Sequence, residues 1–272
     1  MSNNKYKDLF YVILSFSIII ALWWLLAETR FKLTGVIPTP TDTLQTIGEE
    51  MRKDSFFKAI FSTLKRSFVS FIISFFAASV FAALSHYKRF ISLMLNPFIA
   101  ICRSMPTMAL VIILLLTVGS DLLPTVVAFL VVFPLCYENM RAAIAATDKK
   151  LIIMARVFKI PKWRQVTDIY IPAMLPFVFS SIIGGFGLNL KVVISAEVMG
   201  LPSMSIGHLI LSARQGLDFG ISFAWLVIAV ILCLVCEGGL RLIRRLCMPY
   251  KYPDLMLIKG FAKKVFHKVR KT

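Results

Sequence analysis

Acidic side chains are scarce in this chain. Asp and Glu number 14 against 31 Lys and Arg over 272 residues, for a net charge of +17. Histidine is scarcer still: His86, His208 and His267 stand far apart, so no metal cluster can be read. The five cysteines, Cys102, Cys136, Cys233, Cys236 and Cys247, lie in apolar runs or beside a basic tail, which excludes a secreted disulfide framework. Cys233 and Cys236 form a CxxC inside an apolar run and read as small packing residues rather than as redox or metal ligands. A Gly-rich nucleotide loop and a nucleophile elbow are both missing. No catalytic residue, cofactor or metal is therefore expected, and the chain is not read as an enzyme.

What is plentiful is apolar surface. Hydrophobic residues make up 58% of the chain, where soluble domains hold roughly 45–50%. They fall into uncharged runs near the ~20 residues that cross hydrocarbon. The runs are Leu9 to Ala27, Phe68 to Leu84, Ile91 to Val118, Leu122 to Tyr137, Pro172 to Leu190 and Phe219 to Cys236. The first is too long for a signal peptide and lacks a small-x-small cleavage site, so it reads as a retained anchor. The fold class expected is an all-α integral membrane protein with about six transmembrane helices. Six spans put residues 1–8, 85–90, 141–171 and 241–272 on one side, and these hold 21 of the 31 basic residues. The positive-inside bias places that side, with both termini, in the cytosol of a multi-pass protein of the cell membrane. Lys58, Lys65 and Arg66 run against the bias and are read as snorkelling at the opposite interface.

Two segments outside the runs carry pattern. After Pro38 and Pro40, Thr41 or Asp42 is an N-cap candidate for a short surface helix with Leu44, Ile47 and Met51 on one face. The longest inner connection, Thr147 to Ile171, begins with the cap candidates Thr147 and Asp148. Leu151, Met154, Ala155 and Phe158 follow at helical spacing. Pro161 ends that helix, and Trp163 to Tyr170 can form a second before Pro172. Six basic residues lie between Lys149 and Arg164. A short amphipathic helix of this kind fits a groove on a soluble partner, or equally an anionic lipid surface.

This segment resembles the signature loop of the inner-membrane permeases of binding-protein-dependent ABC importers, in particular the nitrate/sulfonate/taurine type. Ala155, Arg156, Trp163, Ile171, Pro172 and Pro176 match the pattern. So do Ile37-Pro-Thr-Pro40, Thr63-Leu-Lys-Arg66, Asn96-Pro97, Arg103-Ser-Met-Pro106, Gly119, Ala196-Glu197-Val-Met-Gly200, Ser205-Ile-Gly207 and Cys236-Glu237. Three positions depart: Ile153 stands where the family has an acidic residue, and Lys159 and Ser70 stand where it has glycine. The resemblance implies a type I ABC importer permease fold with a cytosolic coupling helix, and no nucleotide site of its own. It implies two cytosolic ATPase subunits, a second permease copy (a homodimer being expected), an extracytoplasmic solute-binding protein, and membrane lipid, with no nucleic acid. The substrate class implied is nitrate, sulfonate, taurine or a vitamin-precursor base. Leu151, Met154, Ala155, Arg156, Phe158, Lys159 and Trp163 are the residues implied in coupling.

The expected organisation is an anchor and outer segment at residues 1–56, a permease core at 57–246 with the coupling segment at 147–171, and a basic amphipathic tail at 247–272. In the tail, Asp254 caps a helix with Leu255, Ile258, Phe261, Ala262, Val265 and Val269 on one face and Lys259, Lys263, Lys264, Lys268 and Arg270 on the other, a pattern for lipid or for the ATPase. Charged or helix-breaking residues inside spans are the pathway candidates: Arg103, Pro106, Lys191 and Glu197. Arg103 either meets an anionic group or pairs with an internal carboxylate. Lys191 and Glu197, six apart, lie on different faces. Glu138 and Glu237 pair by spacing with Arg141 and Arg241. Gly184, Gly185 and Gly187 favour close helix packing, in a dimer seam, a pathway wall or within the chain. An ion-gradient-driven secondary transporter is the alternative, but no inverted repeat is visible and span carboxylates are few. A membrane-embedded lipid enzyme is a third, against which no His/Asp/Glu cluster sits at one interface.

Overall fold

The computed structural model describes residues 3–29 and 37–247, and the basic tail expected at 247–272 lies outside them except for Cys247. Among the described residues the regular structure is entirely helical. In chain order the helices are α1 (Asn3–Thr29), α2 (Pro40–Glu50), α3 (Asp54–Tyr87), α4 (Arg89–Ser104), α5 (Thr107–Val118), α6 (Leu123–Ala145), α7 (Lys149–Val157), α8 (Lys162–Gln165), α9 (Ile171–Gly200), α10 (Ile206–Gln215) and α11 (Phe219–Cys247). A π-helical turn, Val166–Tyr170, joins α8 to α9.

Four helical runs are long and apolar enough to cross a membrane: α3, α6, the continuous run Lys162–Gly200, and α11. The pair α4–α5 makes a fifth only as a broken span, because the two helices meet at 102°. Ile13–Thr29 in α1 is apolar but shorter. The run Ile91–Val118 is thus not one straight span. Pro106 disfavours helical backbone at Met105, whose φ of −69° and ψ of 128° are extended, and its missing N–H cannot continue the ladder. Pro172 behaves oppositely. It sits just after the π turn, and the run stays continuous through it.

The centre of the bundle is α3, α6 and α9 packed side by side. The buried stripe of α3 is Ala59, Thr63, Ser67, Ser70, Ser74, Ala78, Ala82 and Ser85 together with Phe56 and Phe71. Eight of these ten are small, which lets the α6 and α9 backbones approach closely in a setting where lipid is as apolar as any side chain. Phe71, Phe133, Tyr137 and Phe186 fill one part of the core, Trp225, Leu190 and Ile206 another, and Leu123, Val127 and Val193 a third. Ser70 donates to Asn189 Oδ1 at 3.0 Å, and Asn189 Nδ2 donates to Ser67 O at 2.8 Å. The serine that replaces the family's glycine therefore ties α3 to α9.

The remaining helices frame this centre. α2 begins at Thr39, whose hydroxyl accepts from Asp42 N, so the cap lies two residues earlier than Thr41, with Pro40 at the first helical position. The helix packs on α11, where Trp225 Nε1 donates to the buried Glu50 carboxylate at 3.2 Å. Its Leu44 and Met51 are exposed, while Thr43 and Glu50 are buried.

Candidate functional site

Polar and charged side chains collect in four places. The first is a clasp at the end of the bundle that carries α10. Glu197, near the end of α9, is fully buried. Its carboxylate accepts from Thr63 Oγ1 at 2.8 Å, from Arg66 Nη1 at 3.3 Å and from Gly207 N at 3.4 Å. Arg66 is only 16% exposed and also reaches Asp121 at 3.6 Å and Ser203 O at 3.4 Å. Arg66 does not snorkel: a carboxylate buried one helix away draws it inward. Gly207 is required here, since a Cβ at that position would overlap the Glu197 and Val198 backbone. The clasp locks α3, α9 and the start of α10 together, and Glu197 faces no open space.

The second place lies along α9 and α11. Lys191 Nζ is 3.4 Å from Glu237 Oε1, and Arg241 Nη2 is 3.0 Å from Glu237 Oε2. Lys191 and Glu197 do turn to different faces, and Glu237 takes both the expected Arg241 and the distant Lys191. The Glu237 carboxylate rests on bare backbone at Gly187, where a Cβ would collide with it.

The third is an open cleft of about 410 Å³ between α4 and α6, lined by Asn96, Arg103, Ser104, Tyr137, Glu138 and Arg141. Glu138 pairs with Arg103, not with Arg141 as the spacing suggested. Arg141 instead lies over the Tyr137 ring at 5.7 Å and reaches Asn96 Oδ1 at 3.5 Å. Arg103 stands in the last turn of α4, which packs on α6 and so brings the guanidinium to Glu138.

The fourth is the elbow between α6 and α9. Asp148 caps α7, accepting from Lys150 N at 2.8 Å. The helix closes with Ile160 N bonding Ala155 O at 2.9 Å and Lys159 N bonding Arg156 O at 3.1 Å, while Lys159 takes a φ of 49°. That is a Schellman closure whose left-handed residue is a lysine where glycine is the usual choice. Gln165 Nε2 donates to Ile160 O at 2.7 Å and steadies the turn. The left-handed turn is at Lys159 itself. The predicted coupling residues divide between two faces. Ala155 is fully buried and Leu151 and Met154 are half-buried, whereas Arg156, Phe158, Lys159 and Trp163 are exposed. Ile153 and Val157, which the sequence reading had not placed on the outward face, are exposed beside them. Their signal was present: 153, 157 and 158 repeat at i, i+4 and i+5.

Among the described residues no group of three or more His, Cys, Asp or Glu could hold a metal ion.

The fold thus combines a bent α4–α5 pair, a helical elbow between two long spans, and a short helix clasped to the far end of the next span. The profile of the family described as "Binding-protein-dependent transport system inner membrane component" matches residues 70–246, well over half of the chain. The chain belongs to this family. It is an ABC importer permease, a multi-pass membrane protein. The permease is 24% identical to the "Putative aliphatic sulfonates transport permease protein SsuC" of Bacillus subtilis (strain 168), over 86% of this chain and 85% of that one. It is 20% identical to the "Taurine transport system permease protein TauC" of Escherichia coli (strain K12), over 86% and 87% of the two chains. Its fold is similar to a chain of the MetNI methionine ABC transporter in inward-facing conformations, with a TM-score of 0.59, 17% identity, and coverage of 71% and 96%. It is equally similar to a chain of a bacterial alginate ABC transporter in complex with an alginate pentasaccharide-bound periplasmic protein, with a TM-score of 0.59, 15% identity, and coverage of 92% and 98%. The ion-gradient-driven alternative finds no support in the family match.

Proposed function

We propose that the permease forms the translocation path of an importer that carries a small sulfonate or related organic anion, driven by two cytosolic ATPase subunits and fed by an extracytoplasmic solute-binding protein. Two copies of this chain face each other about a two-fold axis. The α7 elbow lies in the cytosol, as do both termini, and the α10 end lies outside. The names of the relatives support the substrate class, and the positive-inside bias supports the orientation.

The observation that carries the coupling role is the outward face of the elbow. Val157 is 71% exposed and Trp163 63%, with Ile153 and Phe158 beside them and Arg156 and Lys159 at the rim. A short apolar ridge with a basic rim fits a groove on a soluble subunit. Asp148, the Schellman closure and Gln165 hold it in shape before any partner arrives. Ala155, Leu151 and Met154 then set the orientation of the ridge from within. ATP-driven closure of the two ATPases draws the two ridges together and rocks the bundles about the axis. The path itself runs past Lys191 and past Arg103 at the Pro106 bend, while Glu197 frames it from behind.

Co-purification tests the coupling. The permease is expressed with the ATPase and binding protein encoded beside it, and Val157→Asp and Trp163→Asp are compared with the wild type. Each substitution is expected to lower ATPase recovery at least fivefold and to abolish the stimulation of ATP hydrolysis by loaded binding protein. Full recovery and full stimulation in both variants overturn the assignment of the elbow.

A further inference from the structure

Three charged side chains, Lys191 of α9 and Glu237 and Arg241 of α11, meet where the apolar run of α11 ends. By sequence, Lys191 and Glu197 are the only charged residues within α9, and the first eighteen residues of α11 carry no charge before Glu237. At 1.5 Å per residue, Glu237 sits about 27 Å from the Phe219 end of α11 and about 15 Å from its Cys247 end. It thus closes the apolar run of α11, one turn before Arg241. Lys191 stands within the apolar α9, and a charged group there faces protein or water and not lipid.

The stoichiometry separates this trio from an ordinary structural pair. Lys191 is 61% exposed, Arg241 65%, and Glu237, between them, 19%. Two cations share one carboxylate, so the trio carries a spare positive charge on an open face. The clasp in the same protein shows what a structural pair looks like, with Glu197 sealed and Arg66 nearly so. The α4–α6 cleft also holds two cations and one carboxylate, but there Arg141 is already taken up by the Tyr137 ring and Asn96. In the trio, each cation has donors to spare: an ammonium has three N–H groups and a guanidinium five.

We propose that Lys191, Glu237 and Arg241 form an anion station on the translocation path, in which a sulfonate group displaces the Glu237 carboxylate from one of its two cations. This rests on the importer reading above and extends it to named residues. Glu237 keeps the cations solvated while the path is empty. When a sulfonate arrives, the carboxylate stays on one cation and yields the other. Because the yielded bond is replaced by an equivalent charge-assisted bond, entry and exit are both nearly balanced in energy, as passage requires. Gly187 sets the geometry, since a side chain there would push the carboxylate off its seat between the two cations.

The test uses the whole importer in proteoliposomes, with its ATPase and binding protein. Uptake of labelled taurine and ethanesulfonate is compared among wild type, Lys191→Gln, Arg241→Gln and Lys191→Arg, and ATPase co-purification controls for assembly. The glutamine variants are expected to lose at least tenfold in uptake while assembling normally, and Lys191→Arg to keep more than half. Undiminished uptake in Lys191→Gln overturns the station. An equal loss in Lys191→Arg and Lys191→Gln, or a loss of assembly in both, makes the trio a packing or subunit contact and also overturns it. A second arm needs no transported solute. Leu234, exposed and one turn from Glu237 on the same face of α11, is replaced by Cys. Its labelling by anionic sulfonatoethyl and cationic trimethylammonioethyl methanethiosulfonate is then read by mass spectrometry. At least tenfold faster reaction with the anionic reagent is expected, falling to parity when Lys191→Gln and Arg241→Gln are added. No labelling by either reagent places the face in lipid and overturns the station. If the wild type takes up neither sulfonate, the proposed substrate class falls, and the labelling preference alone decides whether the station attracts anions.

Discussion

At the α10 end of the bundle, Glu197, Thr63, Arg66 and the first amides of α10 are sealed into one hydrogen-bonded clasp. At the α7 end, an elbow holds its shape through local bonds of its own and presents Ile153, Val157, Phe158 and Trp163 outward. The first end spends its polar groups on itself. The second keeps its polar groups local and leaves apolar surface unmatched. A permease that is gripped at one end and rigid at the other can be rocked as a lever, with the small-residue seam of α3 as the packed body between. The clasped end should therefore answer mutation with lost stability, and the elbow should answer with lost assembly.

The largest effect is expected at Glu197. In Glu197→Ala, Arg66 stays largely buried without its best partner, and the Thr63 hydroxyl and Gly207 amide lose their acceptor. Breaking a buried pair on one side costs roughly 3–5 kcal/mol. The detergent-purified permease should show a thermal midpoint lowered by several degrees and rapid exchange of the α10 amides. A midpoint within a degree of wild type would mean that the clasp is not what holds α10 down, and the contrast between the ends would collapse.

Gly207→Ala sharpens the same contrast without touching charge. The added methyl meets the Glu197 and Val198 backbone, which cannot swing aside as a side chain can. Overpacking of this kind costs about 1–3 kcal/mol. The same thermal measurement should place it between Glu197→Ala and wild type. Gly238→Ala, where nothing lies within 4 Å, is the matched control.

How much of this was legible beforehand follows the chemistry of the environment. The elbow was readable because it stands outside the spans, where a cap, a period and a proline have their ordinary meanings: Asp148 caps α7 and Pro161 follows its end, as the pattern indicates. The small-residue stripe of α3 was not read, because Phe68 to Leu84 registers only as an apolar run. In lipid both faces of a helix are apolar, so size and not hydropathy marks the buried face. Local spacing gave Glu237 to Arg241 correctly and Glu138 to Arg141 wrongly. The difference is the packing of α4 on α6, which brings Arg103 to Glu138 and which no spacing along α6 encodes. Arg66 failed for a similar reason, since its partner lies 131 residues away.

The smallest stability effect should come from the elbow, at the residue where the chain departs from its family's glycine. Lys159 sits at φ 49°, a conformation that costs a residue with a Cβ about 1–2 kcal/mol. Lys159→Gly removes that strain, but glycine has more unfolded-state freedom to lose, which takes back about 0.5–1 kcal/mol. The net gain is at most about 1.5 kcal/mol, and it is confined to α7 because the bonds it protects, Ile160 to Ala155 and Lys159 to Arg156, are local. Hydrogen exchange should therefore slow in residues 157–160 of Lys159→Gly while α10 and the global midpoint stay unchanged. If the midpoint rises together with α7 protection, the elbow is energetically continuous with the bundle. If neither moves, the lysine carries no strain in the turn.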